Sequence, residues 1–226
     1  MSSLLLAQAP ASKSAASKGT VHHTAGRPSL MNPASLRATA PEVFQAQFTT
    51  TKGDFVIEVH RAWSPHGADR FYNLVRAGYF DGVAFYRVVP GFMAQFGISP
   101  KPAINKIWDN RNIPDDPVMS SNTRGMVTYA MTGAPNSRST QLFINFKDNK
   151  FLDPMRFAPF GQVISGMEVV DMLYGGYGDM PAMGGHGPDP DKLESEGDAY
   201  LVKNFPMIDK IKIAKVLPAE PAADKK

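Results

Sequence analysis

The stretch FYRVVPGFMAQFG, residues 85–97, is apolar on both sides of a Pro-Gly pair, yet it carries Arg87 in its first arm and Gln95 in its second. Two apolar runs that flank such a pair predict a β-hairpin. Burying a guanidinium within this hairpin is costly unless another group pairs with it. Because a wall of Phe and Met side chains with a few polar donors is the usual make-up of a ligand pocket, the stretch predicts a binding site. The alternative interpretation is an Arg on a solvated strand face.

The composition narrows the classes of function. Of the 226 residues, 43% are apolar, which is enough for a buried core, and the net charge of +3 is carried by residues 1–43 alone. The rest of the chain is neutral, so we expect no nucleic-acid binding. The longest apolar runs fall short of the roughly eighteen residues that a membrane span needs, which predicts no membrane insertion. The absence of Cys excludes disulfides, thiolate catalysis and zinc-thiolate sites.

The two ends of the chain differ from its middle. Residues 1–42 predict a disordered tail, because they are rich in Ala, Ser, Lys, Gly and Pro without apolar periodicity. The opening MSSLLLAQAPA resembles the last part of a secretory signal, although it has no basic n-region and its apolar run is short. We therefore expect a periplasmic or secreted protein, with a cytoplasmic protein as the alternative. One domain is predicted over 43–217, and a C-terminal tail over 218–226.

The middle of the chain combines many short strands with few helices. Alternating apolar positions over 44–59 predict another hairpin, and helical spacing after Ser64, a candidate N-cap, predicts a helix. Most connections between strands are too short for crossover helices, which favours an antiparallel barrel or sandwich with helices at its ends. The segment 99–124 is interpreted as a surface excursion. Further strands are predicted at 125–131, 141–146, 157–164 and 207–217, with helices at 166–174 and 191–205 around a glycine-rich loop.

Several catalytic chemistries find no support in the sequence. The five His residues are scattered or lie in the tail, whereas a metal site needs convergent ligands. There is no Gly-x-Ser-x-Gly elbow, and the glycine-rich loops lack the P-loop and dinucleotide spacings. The sequence does not exclude a glycosidase pair of carboxylates, but the acidic residues cluster in loops without a pattern that would support one. We expect no metal and no cofactor.

Three segments taken together, FYRVVPGFMAQFG, APNSRSTQLFINFKDNKFLD and FAPFGQV, resemble the cyclophilins, the cyclophilin-type peptidyl-prolyl cis–trans isomerases. The match is collinear from about Phe44 to Leu217. The resemblance implies a mainly β fold, an eight-stranded antiparallel barrel capped by two helices, with a substrate groove on the outside of the barrel. The C-terminal part resembles bacterial members that carry an extra loop and helix segment after the second helix.

The resemblance also implies roles for individual residues. Arg87 matches the family's catalytic arginine. Gln95 matches the amide that binds the substrate backbone and steadies that arginine, and Gln141 matches a further groove residue. The hydrophobic pocket that takes the proline ring is matched by Phe92, Met93, Phe143 and Leu152.

Some positions of the implied substrate site depart from the family's pattern. Phe151 stands where the family often has Trp, which weighs against tight cyclosporin binding. Phe157 stands where a pocket His is common, and Tyr86 replaces a common His beside the arginine. Met131 and Thr132 occupy the place of an Ala-Asn pair that contacts the substrate backbone; the Thr132 hydroxyl still offers a polar contact.

The implied activity is acceleration of rotation about X–Pro bonds in proline-containing polypeptides, which assists their folding, by a monomer. We expect Arg87 to find its partner only when the substrate arrives, with Gln95 holding it in pose until then. One alternative is a chaperone or scaffold module that binds proline peptides with little turnover. The other is an unrelated barrel for an apolar ligand, in which Arg87 would face solvent, away from Phe92 and Phe143.

Overall fold

The computed structural model of the chain describes residues 27–218. In that part of the chain the strands are β1 (Val43–Thr50), β2 (Asp54–His60), β3 (Arg87–Val89), β4 (Met93–Phe96), β5 (Met126–Tyr129), β6 (Leu142–Asn145), β7 (Pro159–Ser165) and β8 (Ile211–Val216). The α-helices are α1 (Pro65–Ala77), α2 (Pro102–Trp108), α3 (Met167–Asp171), α4 (Pro190–Glu196) and α5 (Asp198–Asn204).

The eight strands form one antiparallel sheet in the spatial order β3-β4-β6-β5-β7-β2-β1-β8. The sheet curls until its two ends meet, where Ala84, shortly before β3, forms a bridge with Lys210, next to β8. A backbone hydrogen bond from the Ile211 N–H to the Val83 carbonyl, 2.8 Å, extends this seam. The predicted eight-stranded antiparallel barrel is therefore confirmed.

Alternate apolar residues of the strands fill the barrel. Side chains on successive residues of a strand point to opposite faces, and β1 and β2 bury every second residue accordingly. Phe48 and Phe55, which are cross-strand partners, stack with their ring centroids 5.1 Å apart. Phe71 of α1 packs on Phe48 and, at 5.0 Å, on Phe160 of β7. The helix ends at Gly78, whose φ of 72° is the left-handed conformation that glycine adopts readily.

The first turn of α1 is capped from a distant loop. Ser64 is the N-cap residue, but its hydroxyl donates to the Asp116 carboxylate instead of accepting from the helix. The same carboxylate accepts from the backbone N–H groups of His66 (3.1 Å) and Gly67 (3.0 Å). Asp116 also pairs with Arg138 at 2.9 Å, and both side chains are almost fully buried. A carboxylate suits this position because the helix N-terminus carries a partial positive charge.

The prediction of a disordered tail is wrong for residues 27–42. Leu30 and Leu36 pack against the core, and Ala40 is part of it. The carbonyl of Leu30 accepts a hydrogen bond from the indole N–H of Trp108, 3.0 Å, and the Ala38 N–H donates to the Asn73 side chain, 3.1 Å. These contacts stabilise a segment that has no apolar period of its own. Residues 1–26 and 219–226 lie outside the described part, including the signal-like opening.

The excursion over 99–124 contains a helix that the sequence analysis missed. Helix α2 buries Ile104 and Trp108 against the barrel core. Its outer side receives the C-terminal segment, since the Asn105 amide donates to the Glu194 carbonyl, 3.1 Å, and the Asp198 N–H donates to the Pro100 carbonyl, 3.0 Å. The excursion therefore supports the extra helices.

The extra C-terminal helix predicted over 191–205 is two helices, α4 and α5. They are separated by Gly197, whose φ of 66° and ψ of −144° only glycine adopts readily. A side chain at this position would overlap the Pro100 carbonyl oxygen. The helix is therefore broken where the chain comes close to the start of α2. Within residues 27–218, no helix has the length and apolar character that crossing a membrane requires.

Candidate active site

The site lies on the outer face of the barrel, where three strands lie side by side. Arg87 of β3 is the cross-strand partner of Gln95 of β4, and Gln95 is the partner of Phe143 of β6. Directly opposed residues of neighbouring strands place their side chains on the same face. Their sequence neighbours Val88 and Ile144 point the other way, into the core. The alternation predicted for residues 141–145 therefore holds in the structure.

Arg87 already has two partners within the protein. Its NH1 donates to Gln95 Oε1 at 2.9 Å. Its Nε and NH2 donate to the two carboxylate oxygens of Asp179, at 2.7 and 3.2 Å. The Gln95 contact agrees with the expectation that this amide steadies the arginine. The expectation that Arg87 has no other partner until the substrate arrives is wrong, because Asp179 pairs with it in the free protein.

The Arg87 side chain is only 15% exposed, so it does not point into bulk water. This excludes the arrangement that an unrelated barrel with a solvent-facing Arg87 would require. Asp179 lies 92 positions away from Arg87 in the glycine-rich loop, belongs to no recognisable motif and was not predicted from the sequence. Its only signal is that it is the single acidic residue within GGYGDMPAMGGHG, residues 175–187.

Asp179 is held ionised by its surroundings. Partial burial raises the pKa of its carboxyl group, but hydrogen bonds from the Arg87 guanidinium and the Met180 backbone N–H outweigh that effect. The net result is a pKa below the ordinary value for Asp. At neutral pH the pair therefore consists of a carboxylate and a guanidinium.

An apolar cluster contains the residues assigned to the proline pocket and lies beside the Arg87–Gln95 pair. Met93, Phe143 and Leu152 are buried together, with Phe92 and Phe157 half-buried against them. The rings of Phe143 and Phe157 meet edge to face, with centroids 5.8 Å apart and planes at 71°. The residues assigned to the proline pocket are thus brought together, and Phe157 shares the pocket at the position where the family often has His.

Phe151 lies at the rim of this pocket. Its ring stacks on Phe92 with centroids 5.9 Å apart, but 57% of the residue is exposed. Met131 and Thr132 belong to a neighbouring part of the groove, a cavity of about 220 Å³ that Gln95, Gln141 and other residues also line. The Thr132 hydroxyl accepts a local bond from the Ala134 N–H, 3.2 Å, and keeps its own proton to donate.

A chain of amide contacts continues from the arginine along the groove. Gln95 Nε2 donates to Gln141 Oε1 at 3.2 Å, and the Tyr86 hydroxyl donates to the same oxygen at 2.6 Å. Burial raises the pKa of Tyr86, so its hydroxyl stays protonated and can donate. Gln141 Nε2 in turn approaches Glu194 of α4 at 3.4 Å. The amides of Gln95 and Gln141 and the hydroxyl of Tyr86 are therefore oriented before a substrate binds.

Three buried Asn residues hold the pocket wall together, and the sequence analysis did not assign them a role. Asn122 Nδ2 donates to the Phe157 carbonyl, 2.8 Å, and Asn149 Nδ2 donates to the Phe92 carbonyl, 2.9 Å. Asn145 of β6 joins the two, since its amide contacts Asn122 at 3.3 Å and Asn149 at 2.8 Å. The available signal was Asn145, an amide within the otherwise apolar strand LFINF.

The arrangement offers a fixed cation with spare donors next to an apolar cluster. A guanidinium has five N–H groups, and the contacts above use three of those of Arg87. One N–H on NH1 and one on NH2 remain for another acceptor. Such a site can hold an apolar ring and donate hydrogen bonds to an atom beside it.

Comparisons with known proteins identify the family. The model of the family described as "Cyclophilin type peptidyl-prolyl cis-trans isomerase/CLD" matches residues 45–183. A protein of Brucella abortus named "Probable peptidyl-prolyl cis-trans isomerase" is 36% identical over 151 residues, 62% of this chain and 75% of the relative. Peptidyl-prolyl cis-trans isomerase B of Escherichia coli is 33% identical over 136 residues, 57% of this chain and 82% of the relative.

Solved structures share the fold. The crystal structure of a cyclophilin type peptidyl-prolyl cis-trans isomerase of Cryptosporidium parvum superimposes with a TM-score of 0.57 at 18% identity, covering 79% of this chain and 99% of the other. A second structure of that protein, in the presence of the dipeptide Ala-Pro, gives a TM-score of 0.55 at 18% identity, covering 77% and 99%. With its barrel, its matched domain and these relatives, the chain belongs to the family of cyclophilin-type peptidyl-prolyl cis–trans isomerases.

Proposed function

We propose that this isomerase acts on X–Pro bonds through Arg87, with the apolar pocket beside it holding the proline ring. The observation that carries the proposal is the outer row of side chains on β3, β4 and β6. In that row a guanidinium with two uncommitted N–H groups lies one amide away from Phe143, which lines the pocket.

The reaction breaks no covalent bond, so it requires a hydrogen-bond donor and not a nucleophile. Rotation about a peptide bond has a barrier of about 18–20 kcal/mol, because the C–N bond has partial double-bond character. In the twisted transition state this conjugation is lost and the imide nitrogen regains its lone pair. A cation that donates to that nitrogen interacts more strongly with the twisted form than with the planar one, which is differential binding of the transition state.

Arg87 is suited to that role because it stays protonated and presents its donors in a rigid plane. Met93, Phe143 and Leu152 would hold the proline ring while the rest of the peptide rotates. Gln95, Gln141 and the neighbouring rim of the groove would bind the peptide backbone on either side of the ring. Because the Arg87 side chain is only 15% exposed, little water competes for the guanidinium, which strengthens the interaction.

The test compares two arginine variants on an Ala-Pro peptide. Arg87→Ala should lower kcat/KM at least about tenfold, mainly through kcat, because the lost interaction is made in the transition state. Arg124→Ala is the matched control, since Arg124 also forms a two-pronged pair with an Asp, Asp171, but lies outside the groove. Circular dichroism checks that both variants keep the fold. Near-normal turnover of Arg87→Ala would refute the assigned role, and a wild-type protein that binds the peptide without accelerating its isomerisation would indicate a binding module instead.

We further propose that the isomerase is a monomer, is exported, and does not bind cyclosporin tightly. Support for export comes from the signal-like opening of the sequence. Support for weak cyclosporin binding comes from Phe151, which presents a largely exposed phenyl ring at the rim of the pocket. Size-exclusion chromatography, cell fractionation and cyclosporin titration of the isomerase activity test the three statements separately.

A further inference from the structure

The contact between Arg87 and Asp179 joins the barrel to the glycine-rich loop, which we define as residues 175–189. Asp179 accepts from Nε and NH2, so its carboxylate lies along one edge of the guanidinium plane. Gln95 accepts from NH1. The guanidinium is therefore held by acceptors from two different parts of the fold.

Hydrogen bonds and one close backbone approach within the glycine-rich loop hold Asp179 in place. The Asp179 carbonyl accepts from the Gly187 N–H at 2.8 Å, which closes the loop on itself. Gly185 lies so close to the Asp179 carbonyl oxygen that any side chain there would overlap it. The Met180 N–H donates to Asp179 Oδ1 at 2.7 Å, and this bond orients the carboxylate. The position of Asp179 is thus set by the loop and not by Arg87 alone.

The bidentate contact with Asp179 determines which N–H groups of Arg87 remain free to donate. Paired carboxylate and guanidinium groups of this geometry share two parallel hydrogen bonds, which fix the plane of the guanidinium as well as its distance. With Nε and one NH2 hydrogen taken by Asp179 and one NH1 hydrogen taken by Gln95, the remaining donors belong to NH1 and NH2. Without Asp179, the guanidinium would be held by a hydrogen bond at NH1 only, and it could rotate about the bond between Cδ and Nε.

We infer that Asp179 is a positioning residue of the isomerase, which orients the guanidinium of Arg87 so that its free N–H groups face the substrate. The inference rests on the proposed role of Arg87. Catalysis by a fixed donor is sensitive to orientation, and a misplacement of about 1 Å can cost two orders of magnitude in rate. Asp179 does not belong to the apolar pocket, so its loss should affect kcat far more than KM.

The experiment measures kcat and KM on an Ala-Pro peptide for the wild type, Asp179→Ala, Asp179→Asn and Asp171→Ala. Asp179→Ala should lower kcat about tenfold and change KM less than twofold. The kcat of Asp179→Asn should fall by a similar factor, because an amide has one acceptor oxygen and cannot accept from both Nε and NH2 of Arg87 in the same bidentate geometry. Asp171→Ala is the matched control, since it removes a carboxylate from the two-pronged pair with Arg124 outside the groove and should leave kcat unchanged.

A spectroscopic measurement separates orientation from a general loss of structure. The ¹⁵N–¹H signal of the Arg87 Nε–H should shift in both Asp179 variants and stay in place in Asp171→Ala. An unchanged or increased kcat in Asp179→Ala would overturn the inference, and an increase would mean that Asp179 restrains the arginine. A wild type without turnover would overturn the proposed function and the inference together, whereas an active wild type with an equally active Asp179→Ala variant would overturn the inference alone.

Discussion

Replacing Asp116 by Ala should destabilise the protein strongly, although the residue lies outside the active site. Asp116 accepts hydrogen bonds from the Ser64 hydroxyl, from two N–H groups of the first turn of α1, and from Arg138. Arg138 is 1% exposed, so the substitution leaves a guanidinium in the interior without its nearest counter-ion. Breaking a buried pair in this way typically costs about 3–5 kcal/mol.

The expected loss from the broken ion pair alone lies at the lower end of that range, about 3 kcal/mol. The reason is that Asp115 remains 3.9 Å from the Arg138 Nε and still compensates part of the charge. The loss of the helix cap adds to the cost, because capping residues typically contribute about 1 kcal/mol. Urea denaturation followed by circular dichroism measures the difference in the free energy of unfolding.

The control for this experiment is Asp171→Ala. Its pair with Arg124 is exposed, at 42% for Asp171 and 46% for Arg124, so the expected loss is only about 0–1 kcal/mol. Losses of equal size in the two variants would refute the reasoning, because burial would then have no influence on the value of the pair. A double variant, Asp116→Leu with Arg138→Met, should recover much of the stability, since no unpaired charge remains.

Two further predictions concern pH and the C-terminal helices. The pKa values of Asp116, Asp153 and Asp179 are below the ordinary value of 3.8, because hydrogen bonds to each carboxylate outweigh the effect of burial. The stability that these carboxylates contribute should therefore be complete above about pH 5 and decrease as the pH falls below it. A urea midpoint that is constant down to about pH 2.5 would contradict this. Gly197→Ala should lower the free energy of unfolding by at least about 1–3 kcal/mol because of the backbone conformation, and further because the new side chain overlaps Pro100. The control is Gly184→Ala, since Gly184 also has a positive φ but has open space around it. Its loss in the same urea titration should be smaller.

The part of the site that the sequence predicts is the part that depends on local periodicity. Side chains alternate along a strand, so the positions of Gln141, Phe143 and Asn145 on one face follow from the sequence once the strand is recognised. The hairpin of residues 85–97 brings Arg87 and Gln95 to the same face for the same reason. The resemblance to a family then supplied the roles of these positions.

The parts that the sequence did not predict depend on contacts between distant segments. Asp179 reaches Arg87 only because the glycine-rich loop folds back over the outer face of the barrel. Helix α2 is short and lies in a polar, proline-rich segment, and it is stabilised by the burial of Trp108 more than by its own pattern. Residues 27–42 are held by the side chains of α1 and α2, which lie far along the chain. None of these contacts has a period or spacing that a single sequence displays.

The closure of the barrel has a consequence for how the chain acquires its shape during synthesis. Strand β8 is the last of the eight to leave the ribosome, yet it pairs with β1, the first, and also forms the seam with residues 83–84. The β1 edge of the nascent seven-stranded sheet and the segment before β3 therefore stay unpaired until β8 has emerged. Exposed strand edges can pair with other chains, so this interval is when the isomerase itself most needs a folding helper.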